Sequence, residues 1–572
     1  MWVEHSPAER VIALNGPLVQ LGTFSDILNN KSAAANTPHI GIGWEINHFS
    51  DENSSSAVYL GDFQVVHSSM NFSFDTSGPV AERATLELQP DLKSAIISAD
   101  LTDTTGERHE IKVAIERVAG RGRRLQYDSS TLGDADKLRF RITEIDQETK
   151  DVAGPSYATS DVVGANVHHF SPSALIIRYD RNLRLSKMGA TILTDVAGAR
   201  RFRIPSLKLS HGIREILEVA LAPLKANPRH ADAISRFLDF NESELTYESV
   251  SMKYRELPPI LRRSMREALT SYEGDISKRI YEDLGRDSTV SLVRVESMTK
   301  VTSANEHFFR FLLRYLGPLR ADPRPLYPLQ ALSSPTDVGP KGEQTAAVLH
   351  LNSKRKVKNI ASSSFKNSPI DSHIDEVTLT TAVADWLDYL GVAEGFETIE
   401  KGKLGHELRV RTPGTTEFQD LTNVGVGVSQ VLPIVVTCLL AAPGSTIIIE
   451  QPELHLHPAV QARLADFFVA MIMLQKQCVI ETHSEHVIER IRFRIAQDRT
   501  NFIQDKTKIF FFGKENGSTE VSEIAVNRFG SIDDWPRDFF DQSQIANEAI
   551  VLMALERHKA ERSRAKEDGG SV

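Results

Sequence analysis

The stretch that most restricts the fold is Thr446-Ile-Ile-Ile-Glu-Gln-Pro-Glu-Leu-His-Leu-His-Pro458. Thr446–Ile449 is β-branched throughout with no polar alternation, which predicts a strand buried on both faces of a parallel sheet. Pro443 and Gly444 punctuate its start, and the first charge, Glu450, falls where it should end. Pro452 cannot continue a strand ladder. Apolar residues then recur at Val460, Leu464, Phe467, Phe468, Met471 and Ile472, the spacing of a helix. Cys478–Ile480 predicts a second short strand, ended by Glu481-Thr-His483, and Val487, Ile488, Ile491 and Ile495 mark the next helix. The pattern is strand, acid, helix, strand, histidine, helix. An acid at the carboxyl end of a buried parallel strand sits where open α/β sheets bind ligands.

A third stretch, Asn423-Val-Gly-Val-Gly-Val-Ser-Gln430, comes before both. Gly425 and Gly427 permit close backbone approach. Ser429 is placed to cap a following helix, with Pro433 near the first turn. A glycine-rich turn feeding a helix offers free N–H groups and a helix dipole to an anion. Taken alone, glycines before a helix read as a turn. Their order with the two stretches downstream gives them weight.

These three stretches resemble the carboxyl-terminal lobe of ABC-type P-loop ATPases, the branch that includes the SMC and RecF-like proteins. Asn423–Gln430 is similar to the signature loop, Thr446–Glu450 to Walker B, and His483 to the switch histidine. The fuller resemblance is to an AAA-type predicted ATPase family with a carboxyl-terminal domain of unknown function. The tail pattern of that family stands here as Asp534-Trp-Pro-Arg-Asp-Phe-Phe-Asp-Gln542. The resemblance also touches Asn15-Gly-Pro-Leu-Val-Gln-Leu-Gly22 and Tyr315-Leu-Gly-Pro-Leu-Arg320. It runs loosely through the middle of the chain and closely after Asn423.

The resemblance implies an α/β fold: an ABC-ATPase-like P-loop NTPase core with an antiparallel β layer and a mainly helical insertion. It implies ATP and Mg²⁺ as cofactors, bound between two protomers of a homodimer. Glu450 would hold the metal shell, where the family more often has Asp. Asn423, Gly425, Gly427, Ser429 and Gln430 would reach the γ-phosphate of the opposite protomer, and His483 would sense it. The residue after the Walker B acid usually polarises the attacking water. Here it is Gln451, which orients water but takes no proton, with Glu453 two residues on as its substitute. Slow turnover follows, a switch more than a motor. The implied partners are a nuclease or other effector protein, and DNA. The implied settings are bacterial antiphage defence or DNA repair, in the cytoplasm. Two further readings stand beside this one: a nucleotide-independent scaffold, and a RecF-like DNA-repair clamp.

The phosphate-cradling pattern G-x-x-x-x-G-K-[ST] occurs nowhere in the 572 residues. Gly339-Pro-Lys-Gly-Glu-Gln-Thr345 is nearest and lacks the spacing. In the family, Asn-Gly-Pro-Leu follows the strand, loop and helix that carry that pattern. The reading favoured is a chain that begins inside a longer protein; the other is a degenerate ATPase. The intact mass of the protein from its native host separates them.

Composition sets limits. A net charge of -10 argues against nonspecific nucleic-acid affinity from global charge, though a local basic groove needs only a patch. Cys438 and Cys478 lie in apolar runs and read as core residues, not a disulfide or metal site. No apolar run approaches the roughly 20 residues of a membrane span. The start, Met-Trp-Val-Glu-His-Ser-Pro, has no signal-peptide pattern.

Signals along the chain suggest units at 1–145, 146–310, 311–500 and 501–572. Ala84–Leu88, Ser94–Ala99 and Glu110–Ile115 alternate as half-buried strands. Arg117, Arg121, Arg123 and Arg124 form a basic loop, read as solvated, with phosphate contact as the sharper alternative. Leu175–Tyr179 and Ala190–Leu193 read as strands. His168-His169 has no acidic or Cys partner at metal spacing and reads as structural. Ala231–Leu238, Leu261–Tyr272, Ala304–Tyr315 and Val377–Leu390 read as helices, Thr398–Val410 as a hairpin, and Lys508–Phe512 as a buried strand. Gln544–Arg564 reads as an exposed helix. Asp533, Asp534, Asp538 and Asp541 read as surface acids around packed Trp535, Phe539 and Phe540.

Overall fold

The computed structural model describes residues 14, 21–28, 38–48, 63–76, 87–118, 139–153, 161–194, 210–240, 247–328, 334–366, 370, 373–515, 518–532, 546 and 549–559. Period-2 alternation builds the first half. Strands β1 (Ile40–Asn47), β2 (Phe63–Asp75), β3 (Asp91–Asp103), β4 (Arg108–Arg117), β5 (Phe140–Ile145), β6 (Asp161–His168) and β7 (Ser171–Asp180) pair in chain order, each antiparallel to the next. An eighth strand, β8 (Ser288–Val293), joins at β7. The inward side chains include Met70, Phe72, Phe74, Leu92, Leu101, Ile115 and Leu175. Phe170 meets Phe72 and Phe74 edge-on. This is the antiparallel layer expected, but it runs well past residue 118. The expected boundary at 145/146 falls inside the sheet, because β5 pairs with β6.

Between β7 and β8 the period changes to that of helices. Among the described residues six follow: α1 (Arg181–Thr194), α2 (His211–Lys225), α3 (Ala231–Leu238), α4 (Tyr247–Glu256), α5 (Pro259–Thr270) and α6 (Glu273–Leu284). They share their own core, centred on Leu217, Leu221, Ile234, Phe237, Met265 and Ile276. Ala190–Leu193, expected as a strand, lies in α1, where Ala190 and Leu193 face this core. Glu87–Leu88, at the end of another expected strand, is helical.

Helix α7 (Glu296–His307) returns to the sheet, burying Met298 and Val301 in its core. The helix expected over Ala304–Tyr315 stops at His307; a π turn, Phe308–Leu312, leads into strand β9 (Leu313–Leu316). Glu306 of α7 lies 3.2 Å from His168 and 3.6 Å from His169. The fold thus supplies the acidic partner that sequence spacing did not. Arg117, read as solvated, pairs with Asp75 and Asp91 across the sheet. Arg121, Arg123 and Arg124 lie outside the described residues, as do Asn15 to Gln20 and the Asp533–Gln542 cluster.

The second half follows β9. Helix α8 (Thr345–Asn352) leads to the hairpin β10 (Lys356–Asn359) and β11 (Asp375–Thr378), then α9 (Leu379–Leu390). The helix expected from Val377 starts later, because Val377 is in β11 and the Thr378 side chain caps α9. Strands β12 (Gly395–Glu400), β13 (His406–Arg411) and β14 (Gln419–Asp420) form a small antiparallel sheet. Helix α10 (Val426–Leu440) precedes β15 (Thr446–Glu450), α11 (Pro458–Met473), β16 (Gln477–Glu481) and α12 (Glu485–Gln497). Strands β9, β15 and β16 form a three-stranded parallel sheet with β15 in the middle.

Burial in β15 alternates, contrary to the expectation of burial on both faces. Ile447 and Ile449 are fully buried, while Val479 of β16 is 47% exposed on an open face. A last hairpin pairs β17 (Ile509–Glu515) with β18 (Ser518–Ile524). Phe510 and Phe512 of β17 are 53% and 67% exposed, so this strand is not the buried one expected. Residues 549–559 are helical and exposed, as read from the sequence. Among the described residues, no helix is long and apolar enough to cross a membrane.

Candidate functional site

The parallel sheet gathers chemistry at one end. Register places Glu450, the last residue of β15, beside Glu481, the last of β16, and Ile449 beside Leu316 of β9. Three loops therefore leave the same edge: Gly317–Arg320, Gln451–His457 and Thr482–Ser484. Tyr315 donates its hydroxyl to Glu450 Oε1 at 2.8 Å. Burial and that hydrogen bond push the phenol up to about 12. The Arg320 Nη2 donates to the Glu450 carbonyl at 3.3 Å.

Gln451 turns the chain with a positive φ of 45°, a left-handed conformation that side chains other than glycine rarely hold. Its N–H donates to the Glu481 carbonyl at 2.9 Å, fixing the turn against β16. Pro452 then ends the ladder. Glu453 is 8% exposed and both its oxygens are engaged. One accepts the His483 backbone N–H and the other the Thr482 hydroxyl. The acid loop and the histidine loop are thereby joined by one carboxylate. The His483 ring remains 75% exposed, 3.7 Å from Glu481. His457 caps α11, accepting from the Ala459 N–H. Ser484 caps α12 and donates to Gln461.

The glycine-rich stretch forms a second surface. Gly425 is the N-cap residue of α10, so Ser429 is not the cap expected. It lies in the first turn, and its hydroxyl donates to the Val426 carbonyl at 2.7 Å. Pro433 sits further into the helix than expected, packed against Gly342 of the Gly339–Thr345 turn. Asn423, Gly425 and Val426 are exposed, while Gly427 and Gln430 are half-buried. A side chain on Gly427 would touch Leu456 at 3.5 Å, so this surface borders the loop after β15. The structure thus brings Glu450, Gln451, Glu453 and His483 together and sets Asn423, Gly425, Gly427, Ser429 and Gln430 apart from them. Among the described residues no hydrogen bond links the two groups.

Behind the site, helices α11 and α12 are locked by one carboxylate. Asp466 is fully buried, and it accepts from Arg490 at 2.8 Å, Arg494 at 2.6 Å and Tyr389 at 2.6 Å. Arg494 also donates to Gln497 and to the Phe365 carbonyl. Lys476, 4% exposed, donates to the Cys438 and Leu439 carbonyls at the end of α10. Burial pushes its amine down to about 8. Cys438 is buried and Cys478 half-buried, both unbridged, in keeping with their reading as core residues.

Sequence alone does not bring Tyr315 to this site, because nothing in it says that β9 lies beside β15. The signal available was Gly-Pro directly after Leu316, which marks the end of a short element.

Known proteins resemble parts of this chain. Residues 354–489 match the family model described as "AAA domain, putative AbiEii toxin, Type IV TA system". Residues 504–549 match the one described as "Protein of unknown function (DUF3696)". The second half of the chain is therefore similar, in order, to an AAA domain and to a domain of unknown function. No curated protein matches the chain. Similar solved structures include an SMC ATPase from a study of ATP-driven dimerization and DNA-stimulated activation. It is 14% identical over 26% of this chain and 83% of its own, with a TM-score of 0.21. The Smc head of Pyrococcus furiosus, bound to the carboxyl-terminal domain of ScpA, is 10% identical over 76% and 78%, at 0.23. The Smc head of Pyrococcus yayanosii is 9% identical over 80% and 82%, at 0.23.

Proposed function

We propose that this chain is an ATPase subunit that binds Mg²⁺ and ATP at the carboxyl end of β9, β15 and β16. The observation that carries this is the convergence of Glu450, Gln451, Glu453 and His483 on one sheet edge. A carboxylate oxygen suits a hard divalent cation. Glu481 in register with Glu450 adds negative charge that a cation relieves. The residues present fit the metal, the attacking water and the terminal phosphate. When bound, Mg²⁺ would neutralise charge developing on the transferred phosphoryl group. Glu450 would hold it and Gln451 would orient water. Glu453 fixes the backbone of His483, whose exposed ring would be free to meet the terminal phosphate.

The stretch Asn423 to Gln430, exposed at Asn423 and Gly425, half-buried at Gly427 and Gln430 and buried at Ser429, borders the loop after β15 without hydrogen-bonding to these groups among the described residues. In our reading a second copy supplies it, so that ATP joins two protomers and the joined state gates an effector protein or a DNA transaction. The match to a domain described with a toxin system favours bacterial defence as the setting. With Gln451 in place of a proton acceptor, turnover is slow.

Light scattering on the purified full-length protein tests this, with and without ATP and Mg²⁺. The mass should double with nucleotide, and Gly427→Asp should prevent doubling. Glu450→Gln should lower turnover by about 100-fold or more, and His483→Ala should abolish it. A monomer at saturating nucleotide would sink the dimer reading, and an unchanged rate in His483→Ala would sink the site.

A further inference from the structure

Arg320 is the one feature at this sheet edge that the reading above leaves without a task. The loop Gly317-Pro-Leu-Arg320 is held on both flanks. The Gly317 N–H donates to the Pro340 carbonyl and the Ala321 N–H to the Lys341 carbonyl, each at 2.8 Å. Between these clamps Arg320 is 7% exposed. Its Nη2 has the 3.3 Å contact with the Glu450 carbonyl, while Nε and Nη1 are buried with no partner among the described residues. A buried cation without partners is strongly unfavourable, so structural arginines are fully engaged. Arg494 shows how this chain builds one: 1% exposed, with Nε, Nη1 and Nη2 all donating. Burial pushes the Arg320 guanidinium down only to about 10, so it stays charged at neutral pH.

We propose that Arg320 is an anion-binding residue of this site, donating its Nε and Nη1 protons to phosphate oxygens of the nucleotide. A guanidinium presents paired donors in a fixed fork that matches phosphate oxygens. Its place fits that role. It leaves β9 while Glu450 ends the adjacent β15, so an anion on Arg320 and a cation on Glu450 are neighbours. Tyr315, two residues before the clamped loop, holds the Glu450 carboxylate on the same edge. The geometry asks for a ligand that is anionic and metal-bound, which is the chemistry of a nucleoside polyphosphate. This assignment rests on the nucleotide reading above.

The test compares wild type, Arg320→Met and Arg320→Lys for binding of Mg·ATP, Mg·ADP and inorganic phosphate by calorimetry, with Tm measured alongside. Loss of two charge-assisted hydrogen bonds should weaken Mg·ATP binding about 10- to 100-fold in Arg320→Met. Its Tm without ligand should equal or exceed that of wild type, because a buried charge with two unmatched nitrogens is removed. Arg320→Lys keeps the charge and loses the fork, so it should bind with intermediate affinity. A structural arginine gives the opposite: a lowered Tm and, in the folded protein, unchanged affinity. That result overturns the assignment and leaves the nucleotide site standing. Should Arg320→Met fail to fold, Arg320→Lys decides: weaker binding at wild-type Tm supports the role, and unchanged binding overturns it. A wild-type protein that binds none of the three ligands overturns both this assignment and the reading it rests on.

Discussion

Two clusters in this molecule use the same parts to opposite ends. At Asp466, a tyrosine hydroxyl and two arginines surround a fully buried carboxylate, and every donor of Arg494 has a partner. At Glu450, a tyrosine hydroxyl and one arginine again meet an acid, but the arginine has two unmatched nitrogens. Both tyrosines are pushed up to about 12, first by burial and then by the bond to the acid. The first cluster is closed and ties helix to helix. The second stands open at the end of a sheet. On the reading proposed above, what separates a structural knot from a binding site is hydrogen-bond completeness, not residue type.

The comparison is broken most directly at the closed knot. Asp466→Ala leaves two arginines facing each other without a counter-charge, and should cost about 3–5 kcal/mol of stability, read by urea unfolding. Glu450→Ala should change unfolding by less than about 1 kcal/mol, since its cluster is not a knot. Equal losses would erase the distinction.

Lys476 sharpens the point, being a buried cation held only by carbonyls. Its folded pKa lies near 8, below the ordinary lysine value, so between these two pH values the unfolded chain binds more protons than the folded one. Lys476 therefore contributes a rise in stability with pH from about 8 upwards, opposed by the buried Cys438 thiol beside it, which burial pushes up. The full effect is on the order of 3 kcal/mol. Titrating the unfolding free energy from pH 8 to 10 should show the slope in wild type and lose it in Lys476→Met. An identical slope in both would assign the pH dependence elsewhere.

The smallest effect separates the tyrosines. Tyr389→Phe removes a bond to a fully buried acid and should cost about 1–2 kcal/mol. Tyr315→Phe, half-buried, should cost less than about 1 kcal/mol but alter the metal dependence of turnover. If Tyr389→Phe left stability untouched while Tyr315→Phe destabilised, the roles of the clusters would be reversed.

Much of the second half was legible because its signals are local. The β-branched run Thr446–Ile449, the helix periods of α11 and α12 and the two acids at strand ends need only neighbours in sequence. The pairing of β9 with β15 is not local, since a helix, two small sheets and two more helices intervene. Tyr315 and Arg320 therefore could not be placed beside Glu450. Ala190–Leu193 misled because a short apolar run has no period of its own, and only the α1 packing settles it. Ser429 misled as a cap because Gly425 starts the helix one turn earlier. Lys508–Phe512 looked buried because an aromatic run carries no mark of which rings a partner element covers.

The carboxylate of Glu453 has a mechanical meaning. By holding the backbone at His483 and the hydroxyl of Thr482 at once, it removes a degree of freedom from two loops on different strands. Anything that pulls on the histidine is felt at the turn of Gln451, which is itself pinned to Glu481. The sheet edge therefore has the character of a single lever with one fulcrum.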